Sequence, residues 1–357
     1  MNHQTLNFEH QIVDAQPSGT HNDVCLPGDI NGNGKLDLVI GGKYGTDNLV
    51  WYENPTWDRH VIATTHLEAG GVLFDVNGNG RLDVIAGNPM DAPEGYTNTD
   101  LLWFESPPNP RERWATHVIT SAFMKYHDQA VGDVDGDGAP ELLFASQGAG
   151  IIGYYDIPPD PRRSPWPDAL LHLIATDLEI EGLRVIDIDG DGVNEVIAGP
   201  NIFRRGPDGT WVRTVLAEGF AQTRVAVADF NGDGVLDVAV SEGESDPGRL
   251  AWFQGPTWEM HLLAEDLFHP HSLEVADFDG DGKPDLFIGE MGLNGYENPR
   301  EIVYLNQGGG AFEPVVVGNL PTHDAKVADI SGNGLPDIVG KPYHPNNQVD
   351  LWLNRSG

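Results

Sequence analysis

Oxygen-bearing side chains recur in a nine-residue pattern, D-x-[DNS]-G-[DN]-G-x-x-[DE], which the sequence contains seven times. Carboxylate, amide and hydroxyl oxygens at positions 1, 3, 5 and 9 can converge on one hard cation, and glycines at positions 4 and 6 permit a tight reversal. The pattern therefore predicts up to seven structural Ca²⁺ sites, the weakest being the loops that begin at Asp29, Asp75 and Asp329, where Asn or Ser replaces Asp. The predicted ligands are Asp29, Asn31, Asn33, Asp37, Asp75, Asn77, Asn79, Asp83, Asp133, Asp135, Asp137, Glu141, Asp187, Asp189, Asp191, Glu195, Asp229, Asn231, Asp233, Asp237, Asp277, Asp279, Asp281, Asp285, Asp329, Ser331, Asn333 and Asp337.

The elements that position these loops are short strands. An apolar run precedes and follows each loop, and two further strand-like runs complete each repeat, so that one repeat holds four strands. Successive loops begin 42 to 58 residues apart, a spacing typical of propellers. We therefore expect an all-β chain that forms one seven-bladed β-propeller domain over residues 1–357.

Closure of the ring is also predicted. The last repeat ends at its third strand-like run, 349–354, whereas residues 9–15 near the start match the pattern of a fourth strand. The N-terminal strand should therefore complete the final blade and cover an edge that would otherwise be exposed.

Composition limits the partners. The formal net charge of −35 argues against nucleic acid and against an anionic membrane surface. No apolar run reaches the roughly 18 residues of a membrane-spanning helix, and the N-terminus lacks the pattern of a signal peptide. We expect an intracellular protein if Met1 is the native start, and an extracellular or periplasmic one if a signal was removed. The single cysteine, Cys25, excludes an internal disulfide.

Strand direction predicts where chemistry could occur. The first strand of every blade runs along the central channel into its loop, so residues five to eight positions before each loop should meet at the opposite mouth. These positions, with the ends of the second strands, are rich in functional side chains that differ from blade to blade. The catalytic candidates are His21, Tyr126, His127, Arg184, Arg224, His271 and His323. The substrate-binding candidates are Glu68, Gln129, Glu181, Arg204, Glu290, Lys326 and Tyr343.

These residue types suit acid–base chemistry on an anionic ligand. A basic ring within an acidic protein would attract a carboxylate, which Arg184 and Arg224 could hold. His127 is then the best candidate for the base, with His21, His271 and His323 as alternatives for the acid or for orienting hydroxyls. A rival interpretation makes His269 and His271 the ligands of a second metal ion.

Other histidines are predicted to be structural. His10, His60, His117, His172 and His261 occupy one repeated position in the outermost strand. A channel with a purely structural role would carry the same residue type in every blade. The candidate residues at the mouth differ from blade to blade.

The loops resemble the FG-GAP/VCBS repeats of integrin-α-like propellers over nearly the whole chain. The motifs His21-Asn22-Asp23, Tyr126 to Gln129, Glu181 to Arg184 and 269–272 also resemble the funnels of two carbohydrate-active families. These are the rhamnose–glucuronate lyases and the aldos-2-ulose dehydratases. Both families are carbon–oxygen lyases on sugars, so the resemblance implies that funnel histidines and arginines carry the activity.

Three classes of function follow from the sequence. The first is a lyase that performs β-elimination on a glucuronate-containing saccharide. The second is a glycoside hydrolase, or a dehydratase or isomerase acting on a free keto-sugar. The third is a sugar-binding propeller without activity, although a multivalent lectin would repeat its binding residues in every blade.

Overall fold

The computed structural model describes residues 6–91, 94–178, 180–293, 297–343 and 347–357. Within these ranges seven four-stranded antiparallel sheets follow one another, and a 3-10 turn spans Asp168–Leu170. Each sheet is one blade, so the prediction of an all-β, seven-bladed propeller is confirmed. No helix in the described ranges is long and apolar enough to cross a bilayer.

Strands are numbered in chain order, and blade 1 begins at the second strand. Blades 1 to 3 contain β2 (Gly19–Gly28), β3 (Asp37–Gly45), β4 (Leu49–Glu53), β5 (Asp58–Ala63), β6 (Val72–Phe74), β7 (Asp83–Gly87), β8 (Leu101–Glu105), β9 (Ala115–Thr120), β10 (Tyr126–Gly132), β11 (Glu141–Ser146), β12 (Ile151–Asp156) and β13 (Leu171–Ala175). Blades 4 to 6 contain β14 (Leu183–Ile186), β15 (Glu195–Ala198), β16 (Asn201–Arg205), β17 (Trp211–Val215), β18 (Thr223–Ala228), β19 (Asp237–Glu242), β20 (Gly248–Gln254), β21 (Glu259–Leu267), β22 (Ser272–Ala276), β23 (Asp285–Gly289), β24 (Glu301–Gly308) and β25 (Ala311–Gly318). Blade 7 contains β26 (Lys326–Ala328), β27 (Asp337–Gly340), β28 (Val349–Asn354) and β1 (Phe8–Asp14).

The N-terminal strand closes the ring, as the sequence predicted. β1 pairs antiparallel with β28, and the register places Phe8 opposite Asn354 and His10 opposite Trp352. The edge of β28 is therefore covered by a strand from the other end of the chain.

The hydrophobic core lies in layers between neighbouring blades. Leu26 and Val39 of blade 1, for example, pack with Val84 and Phe104 of blade 2. Second strands are buried on both faces, which explains their continuous apolar sequence. This packing between sheets holds the inner strands around the channel.

The repeated outer-strand histidines stack on aromatic side chains of the third strand. His60 lies 4.6 Å from Trp51 between ring centroids, and its Nε2 lies 3.0 Å from Glu53 Oε2. The equivalent ring pairs are His10–Trp352, His117–Trp103, His172–Tyr154 and His261–Trp252. These contacts give the five histidines a structural role.

The predicted calcium loops are folded around their own carboxylates. In the blade-6 loop, Asp277 accepts the backbone N–H groups of Gly280, Asp281 and Gly282 at 2.8 to 3.0 Å. Three acidic oxygens lie within 4.8 Å of one another in the loops of blades 3, 4 and 6. The clusters are Asp133, Asp135 and Glu141; Asp187, Asp189 and Glu195; and Asp277, Asp279 and Asp285. Donor type and convergence in the loops of blades 3 and 6 fit a hard cation, whereas in blade 4 two of the three carboxylates contact Arg204.

One carboxyl group is almost completely buried on the third strand of blade 6. Glu301 is 1% exposed, and the backbone N–H of Leu320 only partly offsets the cost of burying it. Burial, and then the charge of Asp350, raise the pKa of Glu301 well above its ordinary value. The folded chain therefore retains a proton that the unfolded chain releases.

Replacing this carboxyl group should make stability less sensitive to alkaline pH. The pKa of Glu301 is higher in the folded chain than in the unfolded chain. As pH rises above the pKa of the unfolded chain, Glu301 therefore lowers the free energy of unfolding, and this loss grows until pH reaches the folded-state pKa. We expect Glu301→Gln to melt at the wild-type temperature near pH 4 and at a higher temperature at pH 8. Thermal denaturation across pH measures the difference, with Glu313→Gln, an exposed change on the neighbouring strand, as the control. A variant less stable than wild type at pH 8 would contradict this interpretation.

Candidate active site at the channel mouth

Seven buried side chains, one from each blade, form a ring at the end of the channel opposite the calcium loops. Their positions lie five to seven residues before the first loop aspartate, and none is more than 7% exposed. We call this set the mouth ring: Asp23, Glu68, His127, Glu181, Arg224, His271 and His323. The ring brings together residues that are far apart in sequence, such as Asp23 and His323, whose Oδ1 and Nδ1 lie 3.5 Å apart.

Glu181 is the centre of one half of the ring. Its Oε2 lies 3.0 Å from Arg224 Nη1, 3.7 Å from His127 Nε2 and 3.8 Å from His271 Nε2. The Gln147 side-chain amide donates to its other oxygen. One carboxylate thus faces three nitrogen groups from three different blades.

The pKa values of the two histidines beside Glu181, His127 and His271, are shifted in opposite directions. Burial alone would lower the pKa of His127, but the carboxylates of Glu181 and Asp128 outweigh it and raise that pKa to about 9. Its Nδ1 lies 2.8 Å from Asp128 Oδ2. Burial, and next the Arg224 guanidinium, hold the pKa of His271 well below its ordinary value. At neutral pH one imidazole is therefore charged and the other neutral.

His323 extends the neutral half of this arrangement. Its ring stacks on His271 with centroids 4.2 Å apart. Burial, and then the charge of Lys341, hold the pKa of His323 well below the ordinary value. The Lys341 ammonium is fixed by the backbone oxygens of Asn22 and His323 at 2.6 and 2.7 Å.

The other half of the ring surrounds Lys43. Its Nζ lies 3.7 Å from Asp23 Oδ2, 3.6 Å from Glu68 Oε1 and 3.4 Å from the Tyr343 hydroxyl. Neither Asp23 oxygen has a hydrogen-bond partner in the described ranges, and burial, followed by repulsion from Glu68, raises the pKa of Asp23 to about 7. His21 packs edge-on against Tyr343 at 4.9 Å between centroids, which adds an aromatic rim.

Three further candidates lie deeper in the channel. Lys326 Nζ lies 3.0 Å from Glu274 Oε1 and 2.6 Å from Asp324 Oδ1. Arg184 donates to the Leu183 backbone oxygen. Its positive charge lies close enough to Lys326 to limit the rise in pKa that the neighbouring carboxylates cause in that side chain. The Gln129 amide is 7% exposed and has no partner in the described ranges.

Three candidates lie away from the channel mouth. The Tyr126 hydroxyl accepts the Phe123 N–H, and its ring packs in the core against Phe144. The Glu290 carboxylate accepts the Phe268 N–H at 2.9 Å and pairs with Arg300, an arrangement that Glu242 and Arg249 repeat in blade 5. Arg204 contacts the calcium loop of its own blade, at Asp189 and Glu195. The expectation that these three line the funnel was wrong. Side chains alternate along a strand, which turns Tyr126 and Glu290 away from the channel, and Arg204 lies on a third strand at the calcium-loop end of its blade.

The expectation of a basic ring was also wrong. Arg224 and Lys43 at the mouth and Lys326 deeper in the channel each lie within 4 Å of a carboxylate, so the basic groups are paired with acidic ones. The catalytic and substrate-binding candidates did not include Asp23, Lys43 and Asp128, which also lie at the mouth. Counting back six residues from each loop aspartate identifies Asp23, but the contacts of Lys43 leave no signal in the sequence.

The donor types of His127, Glu181 and His271 would suit a transition-metal ion, and their ligand atoms lie within 4.8 Å of one another. However, Arg224 Nη2 lies 2.6 Å from His271 Nε2 and Nη1 lies 3.0 Å from Glu181 Oε2. A guanidinium at this place uses two of the donor atoms and repels a second cation, so these residues do not fit a metal ion. His269 is not part of this cluster.

An open cavity leads to this half of the ring. Its volume is about 290 Å³, and its walls include Gln147, Glu181, Phe220 and Gln222. The space suits one sugar-sized ligand beside Glu181.

Comparison with solved structures shows that other chains share this fold. The structure superposes on the biofilm matrix protein Bap1 of V. cholerae with a TM-score of 0.53 at 12% identity, covering 98% of this chain and 92% of that chain. It also superposes on AFV00434, an ancestral GH74 enzyme, with a TM-score of 0.62 at 9% identity, covering 94% of this chain and 48% of that chain. At these identities the likeness concerns the fold alone.

Sequence comparison identifies the repeats. Human integrin alpha-7 is 33% identical over 99 residues, which cover 24% of this chain and only 8% of the integrin. The pattern of the FG-GAP-like repeat matches residues 29–86, 75–144, 187–240 and 277–340, together well over half of the chain. The chain therefore belongs to the FG-GAP-like repeat family.

Proposed function

We propose that the protein is a carbon–oxygen lyase that acts on a saccharide at the channel mouth. The observation that carries this proposal is the pair of histidines with opposite pKa shifts on either side of Glu181, with ring centroids 6.3 Å apart. Neighbouring groups whose environments separate their pKa values are the usual basis of acid–base catalysis. Elimination needs one neutral group that accepts a proton and one protonated group that donates a proton.

The neutral His271 serves as the base in this scheme, and its Nε2 becomes available when the substrate takes over the Arg224 Nη2–H group that contacts it. It removes the proton from the carbon next to a carboxylate or carbonyl group, and the released electron pair forms a carbon–carbon double bond as the adjacent carbon–oxygen bond breaks. The charged His127 gives its proton to the departing oxygen. This assigns His127 the acid role instead of the base role predicted from sequence, because a group with a pKa of about 9 is protonated at neutral pH.

Arg224 stabilises the charge that develops on the substrate. A guanidinium next to the base favours the enolate-like intermediate, and a fixed donor of this kind contributes roughly 3–4 kcal/mol to the rate in other enzymes. Asp128 orients the His127 ring through its 2.8 Å contact with Nδ1. Tyr343 and His21 form an aromatic rim against which a sugar ring can pack.

A uronic acid residue within an oligosaccharide is the first candidate substrate, because its carboxylate acidifies the neighbouring carbon. A keto-sugar is the second candidate. Arg224 already has Glu181 as its partner at 3.0 Å, so a neutral carbonyl oxygen can approach without adding an unpaired negative charge. Hydrolysis remains the alternative chemistry, and one solved structure with this fold is a GH74 enzyme.

A substrate screen separates these reactions. We expect oligosaccharides that carry glucuronate, or keto-sugars, to give new ultraviolet absorbance from the conjugated double bond. His127→Gln and His271→Gln should each lower turnover at least about a hundredfold while the chain stays folded. His60→Gln, which changes an outer-strand histidine, is the matched control and should retain wild-type turnover. Sugar release without absorbance would indicate hydrolysis and contradict the lyase assignment, as would wild-type rates in both mouth variants.

The dependence of rate on pH follows from the two histidines. His271 must be neutral, and its pKa is lowered, so acid should inhibit only well below pH 6.5. His127 must be protonated, so the rate should fall as pH rises through about 9. His127→Gln should remove the alkaline limb from the profile, whereas a limb that persists would assign it to another group.

We also propose that Ca²⁺ in the acidic loops stabilises the fold. A cation that binds only the folded state adds stability by mass action, and the converging carboxylates of blades 3 and 6 suit it. Excess chelator should lower the melting temperature and added Ca²⁺ should restore it. Melting that is unchanged after metal removal, verified by elemental analysis, would contradict a stabilising role.

A further inference from the structure

Two of the calcium loops are alike in sequence but differ in their surroundings. The loops of blades 3 and 4 have carboxylates at all four ligand positions, and each ends on a glutamate, Glu141 or Glu195. In both loops one oxygen of that glutamate accepts the backbone N–H at position 2, at 2.8 Å from Val134 and 3.1 Å from Ile188. By charge alone these two loops should bind Ca²⁺ equally well.

In blade 4 the other oxygens are taken by an arginine. Arg204 Nη2 lies 2.8 Å from Asp189 Oδ2, and its Nε lies 3.2 Å from Glu195 Oε1. The second oxygen of Asp189 accepts the Asp191 N–H at 3.3 Å. All four oxygens of these two expected ligands are therefore engaged within the chain.

Blade 4 differs from the other six blades in the third-strand residue that lies opposite the end of its loop. In blade 3 the register places Asp156 opposite the last loop residue, Glu141. Continuing the β15–β16 register one residue beyond Val196 and Phe203 sets Arg204 against Glu195. Counted in the same way, the residues at this position in the other blades are Glu53, Glu105, Gln254, Leu305 and Leu353. A basic side chain opposite the loop thus occurs in blade 4 alone, and within the described ranges no N–H donates to Glu141 Oε1 in blade 3.

We propose that Arg204 is the permanent cation of the blade-4 loop and takes the place that Ca²⁺ would occupy there. A guanidinium about 3 Å from two ligand carboxylates neutralises them and repels a divalent ion at the same place. The blade-4 loop is then held together without metal, although its sequence places it among the stronger sites. This inference does not depend on the proposed lyase activity.

Calcium uptake by the full-length chain tests the proposal. After chelator treatment and desalting, each protein is titrated with Ca²⁺ by calorimetry, and bound metal is counted by elemental analysis. We expect Arg204→Gln to bind one more Ca²⁺ per chain than wild type, because two carboxylates are released and complete a set of four for one ion. Arg204→Lys, which keeps a positive charge, should bind as wild type does. Arg213→Gln, an arginine of the same blade that donates to Asn201 and not to a loop, is the control.

The reciprocal change is made in blade 3. Asp156→Arg places a guanidinium opposite Glu141 and should remove one Ca²⁺ per chain, whereas Asp156→Asn, which also ends the contact with His172, should remove none. Melting supplies a second readout, since Arg204→Gln without metal should be less stable than wild type and gain more from added Ca²⁺. Equal uptake by wild type and Arg204→Gln overturns the proposal. If Arg204→Gln does not fold, undiminished uptake by Asp156→Arg overturns it instead.

Discussion

The buried carboxylate that ends each loop is the contact on which the blades depend. In blade 1, Asp37 accepts the Ile30 N–H from the loop at 3.0 Å and the Asn54 N–H from beyond the third strand at 2.8 Å. Aspartates make similar double contacts in blades 2, 5, 6 and 7, although the third-strand side donates from within the strand in blades 6 and 7. Each of these side chains joins the loop to the end of the third strand, and without it two backbone donors would lose their partner.

The same constraint explains why calcium and scaffold share one loop. Where the last residue is Asp, both oxygens serve the backbone. The longer Glu141 and Glu195 use one oxygen for the loop N–H and keep a second oxygen, which in blade 4 contacts Arg204. The scaffold therefore constrains position 9, whereas the choice between Asp and Glu alters what the loop can bind.

The fold was predictable because its signal is repeated. Seven loops at similar spacing define blade number, strand direction and the channel end at which the inner strands begin. The position of Asp23, His127, Glu181, His271 and His323 follows from that count alone. Side-chain direction was less predictable, since Glu290 lies only one residue beyond β23 and yet points between blades to Arg300. Charge pairing was not predictable either, because the contacts of Lys43 join three blades that are distant in sequence.

Closure by β1 has a consequence for how the molecule is made. His10 and Asp350, 340 residues apart, are joined at 2.7 Å, and the Asn7 N–H donates to Ser356 across nearly the whole chain. Six blades are formed from contiguous segments and can assemble in order as the chain leaves the ribosome, whereas the seventh must wait for β28. Until then the N-terminal strand has an unpaired edge that can pair with other strands. Pairing of the two ends is non-local, so we expect it to be the slow step that completes folding.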